Sequence, residues 1–143
     1  MSEALTVRDK ILTLESEMKK YPQVEITPVH YFAKGLYARE IFIPKGTLLT
    51  GKIHRTEHLN IISKGDISVV TEEGTKRITA PFTMIAKPGT KRVGYAHEDT
   101  VWTTVHATEE TDLEKIELEL IAADYGELSL PESGTKALEV KEG

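Results

Sequence analysis

The 143-residue sequence contains no cysteine, so it forms no disulfide, zinc ribbon, iron–sulfur cluster or thiol nucleophile, and any metal must be held through nitrogen and oxygen. It has no apolar run near the ~20 residues needed to cross a bilayer. Its first residues, Met1-Ser2-Glu3-Ala4-Leu5, lack the basic start and apolar core of a secretory signal. Both absences predict a cytoplasmic protein with no membrane partner. Positive charge is scarce as well: 18 Lys and Arg stand against 23 Asp and Glu, for a net charge of −5, with no basic stripe. A chain built mainly to neutralise phosphates needs the opposite balance, which argues against nucleic acid as a partner. A Gly-x-Ser-x-Gly elbow, a glycine-rich phosphate loop and a Rossmann fingerprint are also missing, so nucleophilic hydrolysis and dinucleotide chemistry lose their usual sequence support.

What is present divides the chain by pattern, within a length that suits one domain of about 100–150 residues. Val7, Ile11, Leu14 and Met18 recur at three- and four-residue steps and predict an amphipathic helix over residues 4–20, before Pro22 and Pro28 break the pattern. Its balanced charge and lack of aromatic anchors on the apolar stripe favour packing on its own barrel or on a second subunit. Residues 37–107 then carry short β-branched and aromatic runs at 37–43, 48–53, 59–63, 67–71, 76–79, 82–86, 91–97 and 101–107. Turn signals such as Pro44-Lys45-Gly46, Lys64-Gly65-Asp66 and Glu72-Glu73-Gly74 separate them. Strands at this spacing predict an all-β antiparallel sandwich or barrel. Leu113, Ile116, Leu120 and Ile121 predict a second amphipathic helix, and the polar, aperiodic end predicts a flexible tail. The expected organisation is an N-terminal helix over 1–22, a barrel over 23–108, a C-terminal helix over 109–126 and a tail over 127–143.

Residues 46–65 read GTLLTGKIHRTEHLNIISKG. Strand alternation puts Lys52 and His54 on one face, and His58, Asn60 and Ile62 on one face of the next strand. If the residues between them turn a corner, His54 and His58 converge, and two imidazoles so placed are half of a metal site. His106 shares a strand face with Trp102 and Thr104 and is either a third imidazole donor or a hydrogen-bonded histidine at the edge of the core. His30 and His97 fall near loops and are expected in solvent. Arg39 and Glu40 alternate to opposite faces, so they do not read as a pair pointing into one pocket.

The spacing Gly46-x5-Lys52-x-His54-x3-His58-x6-Gly65 resembles the first motif of the cupin superfamily: glycine, five residues, His-x-His, three or four residues, Glu, six residues, glycine. The resemblance implies a single jelly-roll β-barrel in which those three ligands, with a histidine from a second motif, hold a divalent metal. By position the ligands fall on Lys52, His54 and His58 and, if Gly89 is the central glycine of the second motif, on Arg92. Three of the four positions depart from the pattern, and of those only the Glu-to-His exchange keeps a donor. Two cations beside a divalent ion repel it. Facing an apolar interior, Lys52 and Arg92 instead favour an anion, which Arg grips with two hydrogen bonds. More loosely, the chain resembles small uncharacterised cupin-like proteins of phages and prophages in runs such as Tyr37-Ala38-Arg39-Glu40 and Lys87-Pro88-Gly89-Thr90-Lys91-Arg92. That implies the cytoplasm of a bacterium or infected host cell.

The expected site therefore has Lys52, Asn60 and Arg92 binding a small anionic molecule, and His54 and His58 acting as acid or base near neutral pH. His54, His58 and His106 are the candidate donors for one divalent metal. A homodimer through sheet edges is expected, since exposed edges need covering. The contrasting reading is a non-enzymatic phage or prophage accessory protein that uses the barrel as an interaction scaffold.

Overall fold

Thr6 opens α1 (Val7–Met18): its hydroxyl accepts from the backbone N–H of Asp9 at 3.0 Å, and the Asp9 carboxylate accepts from the backbone N–H of Thr6 at 3.2 Å. This reciprocal cap satisfies two donors that a helix start leaves open. The computed structural model describes residues 6–121 and 128–132. After α1 come β1 (Val29–Ala33), β2 (Leu36–Ile43), β3 (Leu48–Thr50), β4 (His58–Lys64), β5 (Asp66–Thr71) and β6 (Gly74–Thr79). They are followed by β7 (Phe82–Ala86), β8 (Val93–Ala96), β9 (Thr100–Ala107), α2 (Leu113–Leu120) and β10 (Leu128–Leu130). No helix among the described residues is long and apolar enough to cross a membrane.

The strands form two antiparallel sheets, ordered β1-β2-β9-β4-β7 and β10-β3-β8-β5-β6. Neighbours far apart in sequence, such as β2 with β9 and β3 with β8, fold the chain over on itself as a jelly roll does. Ile41, Ile43 and Ile62 of the first sheet pack against Leu49, Ile67, Val69, Ile78 and Ala96 of the second, so one core lies between them. At the Lys64-Gly65-Asp66 turn, Gly65 has φ +110°, and a Cβ there would lie 2.6 Å from the Thr100 Cα, so only glycine fits.

α1 packs on its own chain, burying Ile11, Glu15 and Met18. Glu15 accepts from Lys91 Nζ at 2.8 Å and from the Thr50 hydroxyl, and Lys91 also donates to the Gly51 carbonyl at 2.7 Å. Lys91 is fully buried, and that carboxylate is one of the groups that offset its charge. At the opposite end of the chain, Ile116 and Leu120 of α2 pack on Tyr37. α2 closes one end of the sheets: Arg55 N–H donates to the Leu120 carbonyl at 2.6 Å, and His54 bridges Ile121.

Three features differ from expectation. β1 lies where no strand is expected, because four of its five residues are exposed and its sequence does not alternate. α2 stops at Leu120, since Ile121 is drawn into extended backbone (φ −114°, ψ 135°) by its bridge to His54; residues 122–127, where the expected helix would continue, lie outside the described residues. Leu128–Leu130, expected in the tail, pair with β3, while residues 133–143 lie outside the described residues.

The Glu15–Lys91 pair yields a stability prediction. Glu15→Ala removes the carboxylate that lies 2.8 Å from the buried Lys91 ammonium, and urea denaturation is expected to show a loss of about 3–5 kcal/mol. The double replacement Glu15→Leu, Lys91→Met is expected to recover most of it.

Candidate functional site

Strand register builds the site. Tyr37 and Arg39 of β2 pair with His106 and Thr104 of β9, and Asn60 of β4 pairs with Thr104 from the other side. His58 immediately precedes Leu59, which pairs with Val105, so its ring enters beside His106. His54 lies in the irregular segment between β3 and β4, held by its bridge to Ile121 and by the Gly89 N–H, which donates to its carbonyl at 2.9 Å. The corner expected between Lys52 and Asn60 is made. Ring centroids lie 4.3 Å apart for His54 and His58, 4.8 Å for His54 and His106, and 4.7 Å for His58 and His106. One ring nitrogen from each histidine falls within 4.8 Å of the others.

Hydrogen bonds decide which nitrogens hold lone pairs. The Thr56 carbonyl, which can only accept, lies 2.9 Å from His58 Nδ1, so Nδ1 is protonated and Nε2 keeps a lone pair. That Nε2 is buried without a partner, as is His106 Nδ1. His54 Nδ1 and His106 Nε2 face each other at 2.8 Å. Burial, reinforced by His58, His106, Arg92 and Arg39, lowers the His54 pKa to about 2. Burial, His58 and Arg39 lower that of His106 to about 4. His58 is also lowered, mainly by burial, against the opposing effect of its bond to Thr56. All three rings are therefore neutral at pH 7, which corrects the expected titration of His54 and His58 near neutrality: a buried ring beside two other imidazoles and two guanidinium groups offers a lone pair far more readily than a proton.

Beside the triad opens a cavity of about 70 Å³ whose polar lining includes Arg39, Lys52, His54, Asn60 and Arg92. Lys52 is part of that lining, and α2 matches its charge, with Nζ 2.7 Å from Glu117 Oε1. The Arg92 guanidinium forms no hydrogen bond or ion pair among the described residues, although the Arg92 carbonyl accepts from the Gly51 N–H at 3.1 Å, and burial lowers the Arg92 pKa, opposed by Glu73. Asn60 is 1% exposed; Oδ1 accepts from Trp102 Nε1 at 2.9 Å and Thr104 Oγ1 at 3.3 Å, leaving Nδ2 buried and without a partner. Arg39 joins the site although its pairing with Glu40 gave no reason to place it there. The signal for it is its position between the buried residues Tyr37, Ile41 and Ile43 on alternate positions of β2. His30 and His97 are not in open solvent. His30 lies in β1 with Nδ1 2.6 Å from the Tyr37 hydroxyl, and His97 Nε2 lies 2.7 Å from Ser68 Oγ.

No family model and no curated protein matches this chain. Solved structures match its fold. Ectoine synthase from P. lautus gives a TM-score of 0.57 at 15% identity, over 76% of this chain and 80% of that one. KdgF from Halomonas sp. gives 0.52 at 14% identity, over 67% and 93%. An RmlC-like cupin from Shewanella frigidimarina gives 0.52 at 18% identity, over 64% and 89%. The chain has the cupin fold. Within it, the positions assigned by motif spacing all reach one place: His54 and His58 enter the triad, while Lys52 and Arg92 line the adjoining cavity. His106, from β9 and outside both motifs, completes the set.

The donor set suits a divalent ion. Zn–N bonds of about 2.0–2.1 Å place adjacent donor nitrogens about 2.9–3.4 Å apart, close to the His54–His106 spacing of 2.8 Å. The buried lone pair of His58 Nε2 has nothing else to accept.

Neutral buried imidazoles also set a pH dependence. Unfolded histidines take up protons near pH 6.5, and the folded ones do so only at lower pH. The unfolded chain therefore binds more protons below about pH 6.5, and folding stability falls as pH drops, by up to about 1.4 kcal/mol per pH unit for each such histidine. Denaturation midpoints are expected to drop between about pH 7.5 and 5, and His54→Gln with His106→Gln is expected to flatten that slope.

Proposed function

We propose that this cupin-fold chain binds an anionic small molecule in its interior, with one divalent metal held by His54, His58 and His106. The observation that carries the reading is the buried lone pair of His58 Nε2, without a hydrogen-bond partner among the described residues, in a cluster with two further imidazoles beside a cavity lined by Arg92, whose guanidinium has no partner among them either. A metal bound there supplies Lewis acidity. The chain's own groups do the rest. Thr56 holds the His58 ring in the tautomer that presents Nε2 inward. Glu117 holds Lys52 at the cavity, where Lys52 adds to the field that attracts an anion. Arg92 supplies the forked contact, and Trp102 with Thr104 aims the Asn60 amide. A bound anion also offsets the repulsion between the guanidinium groups and a metal.

Elemental analysis of the purified chain is expected to find about one equivalent of divalent metal. His58→Ala is expected to lower it at least tenfold, in line with the loss of one of three ligands. Metal-free protein whose melting temperature does not respond to added Zn²⁺, Ni²⁺ or Mn²⁺ would sink the metal half of the reading.

A different observation favours the interaction reading. Tyr31, Ala38, Val105, Leu59 and Ile85 are register neighbours across all five strands of the first sheet, on its outer face. Tyr31, Leu59 and Ile85 are 52%, 40% and 67% exposed, where a solvated sheet face is ordinarily polar. Such a face suits a second copy of the chain, alongside the sheet edges at which a homodimer is expected. A phage or prophage role rests on sequence runs alone. Sedimentation is expected to show a dimer that Leu59→Glu with Ile85→Glu converts to monomer without loss of metal; a monomeric parent protein counts against it.

A further inference from the structure

The cavity is graded, and strand register sets the gradation. Arg39 and Asn60 flank Thr104 in one layer, Ile41 and Ile62 flank Trp102 in the next, and Ile43 lies opposite Thr100 beyond it. In the facing sheet, Arg92 lies just before β8, Leu49 and Val69 flank Gly94, and Ile67 pairs with Ala96. The triad end of the cavity is therefore cationic and rich in donors, while the remainder is walled by Ile43, Leu49, Ile67 and Val69. Two donors in it are unmet: the Arg92 guanidinium and the fully buried Asn60 Nδ2. A half-buried cation and a buried amide N–H both cost free energy until an acceptor meets them.

Resting on the anion-site reading above, we propose that the ligand is a short aliphatic carboxylate, its oxygens held by Arg92 and Asn60 Nδ2 and its tail against Ile43, Leu49, Ile67 and Val69. The planar two-oxygen head matches the guanidinium fork, with the third donor supplied by Asn60. A phosphate or sulfate would leave further oxygens facing aliphatic carbons. Size narrows the class. At about 10–15 Å³ of cavity per water-sized group, the 70 Å³ available takes on the order of five to seven non-hydrogen atoms, which, with two of them the carboxylate oxygens, corresponds to a chain of about three to five carbons. Gly51 lines the same cavity, and a Cβ there would meet no atom within 4 Å, so the space beside the carboxylate site is open.

Calorimetric titration of the full chain with acetate, butanoate, hexanoate, decanoate, hexanamide and inorganic phosphate tests this. Affinity is expected to rise roughly fourfold per added CH₂ up to butanoate and to stop rising by hexanoate or decanoate. Hexanamide is expected to bind at least tenfold more weakly than hexanoate. Arg92→Gln should abolish that preference, and Gly51→Val, whose side chain fills the open space beside the carboxylate site, should weaken acetate and hexanoate alike. If Arg92→Gln does not fold, Arg92→Lys keeps the charge, loses the fork and is expected to weaken hexanoate about tenfold. Acetate or phosphate binding as tightly as hexanoate overturns the aliphatic assignment while leaving the anion site standing. Equal affinity for hexanamide overturns the carboxylate. No binding of any anion, to the parent chain with or without added metal, overturns the anion-site reading itself.

Discussion

Three imidazoles share one desolvated space only while all three are neutral. That constraint organises the α2 end of this molecule. His54, His58 and His106 lie with ring centroids under 5 Å apart, and protonating any one would set a buried charge near a guanidinium group, Arg92 for His58, Arg39 for His106 and both for His54. The fold makes the charged form costly and the lone pairs available. A cluster poised in this way could hold a metal ion through its lone pairs.

The two helices complete the same electrostatic arrangement from outside. Each places one glutamate against one lysine of the β-structure: Glu15 of α1 on Lys91, and Glu117 of α2 on Lys52. Both lysines lie close in sequence to pocket residues, Lys91 beside Arg92 and Lys52 two residues before His54. With their charges taken by the helices, Arg92 is left as the cation lacking a partner among the described residues at the cavity. The net charge of −5 therefore says little about what the interior binds, because the acidic excess includes groups whose task is to neutralise lysines.

Much of the fold was legible because strand and helix periods are local. Phe82–Ala86 matches its expected run residue for residue, and the turns at Gly46, Gly65, Gly74 and Gly89 coincide with positive φ. β1 was not legible, because its residues are mostly exposed and a strand that buries little leaves no alternation to read. β10 was not legible because three residues acquire strand character only by pairing with β3. In the site, the convergence of His54 and His58 was foreshadowed by spacing. The tie between Lys52 and Glu117 spans 65 residues and leaves no local trace.

The sequence by itself determined the chemistry available: with no cysteine, any metal here is held by nitrogen and oxygen, and the short alternating runs commit the middle of the chain to antiparallel sheet. Only the tertiary structure decided which of the five histidines meet, that Arg39 faces inward beside Asn60, and that Lys52 is matched by a helix 65 residues away. The physical reason is one of range. Alternation and turn preference act over a few residues, whereas desolvation and charge pairing depend on strand register between segments such as β4 and β9, whose paired residues Asn60 and Thr104 are 44 apart in the chain.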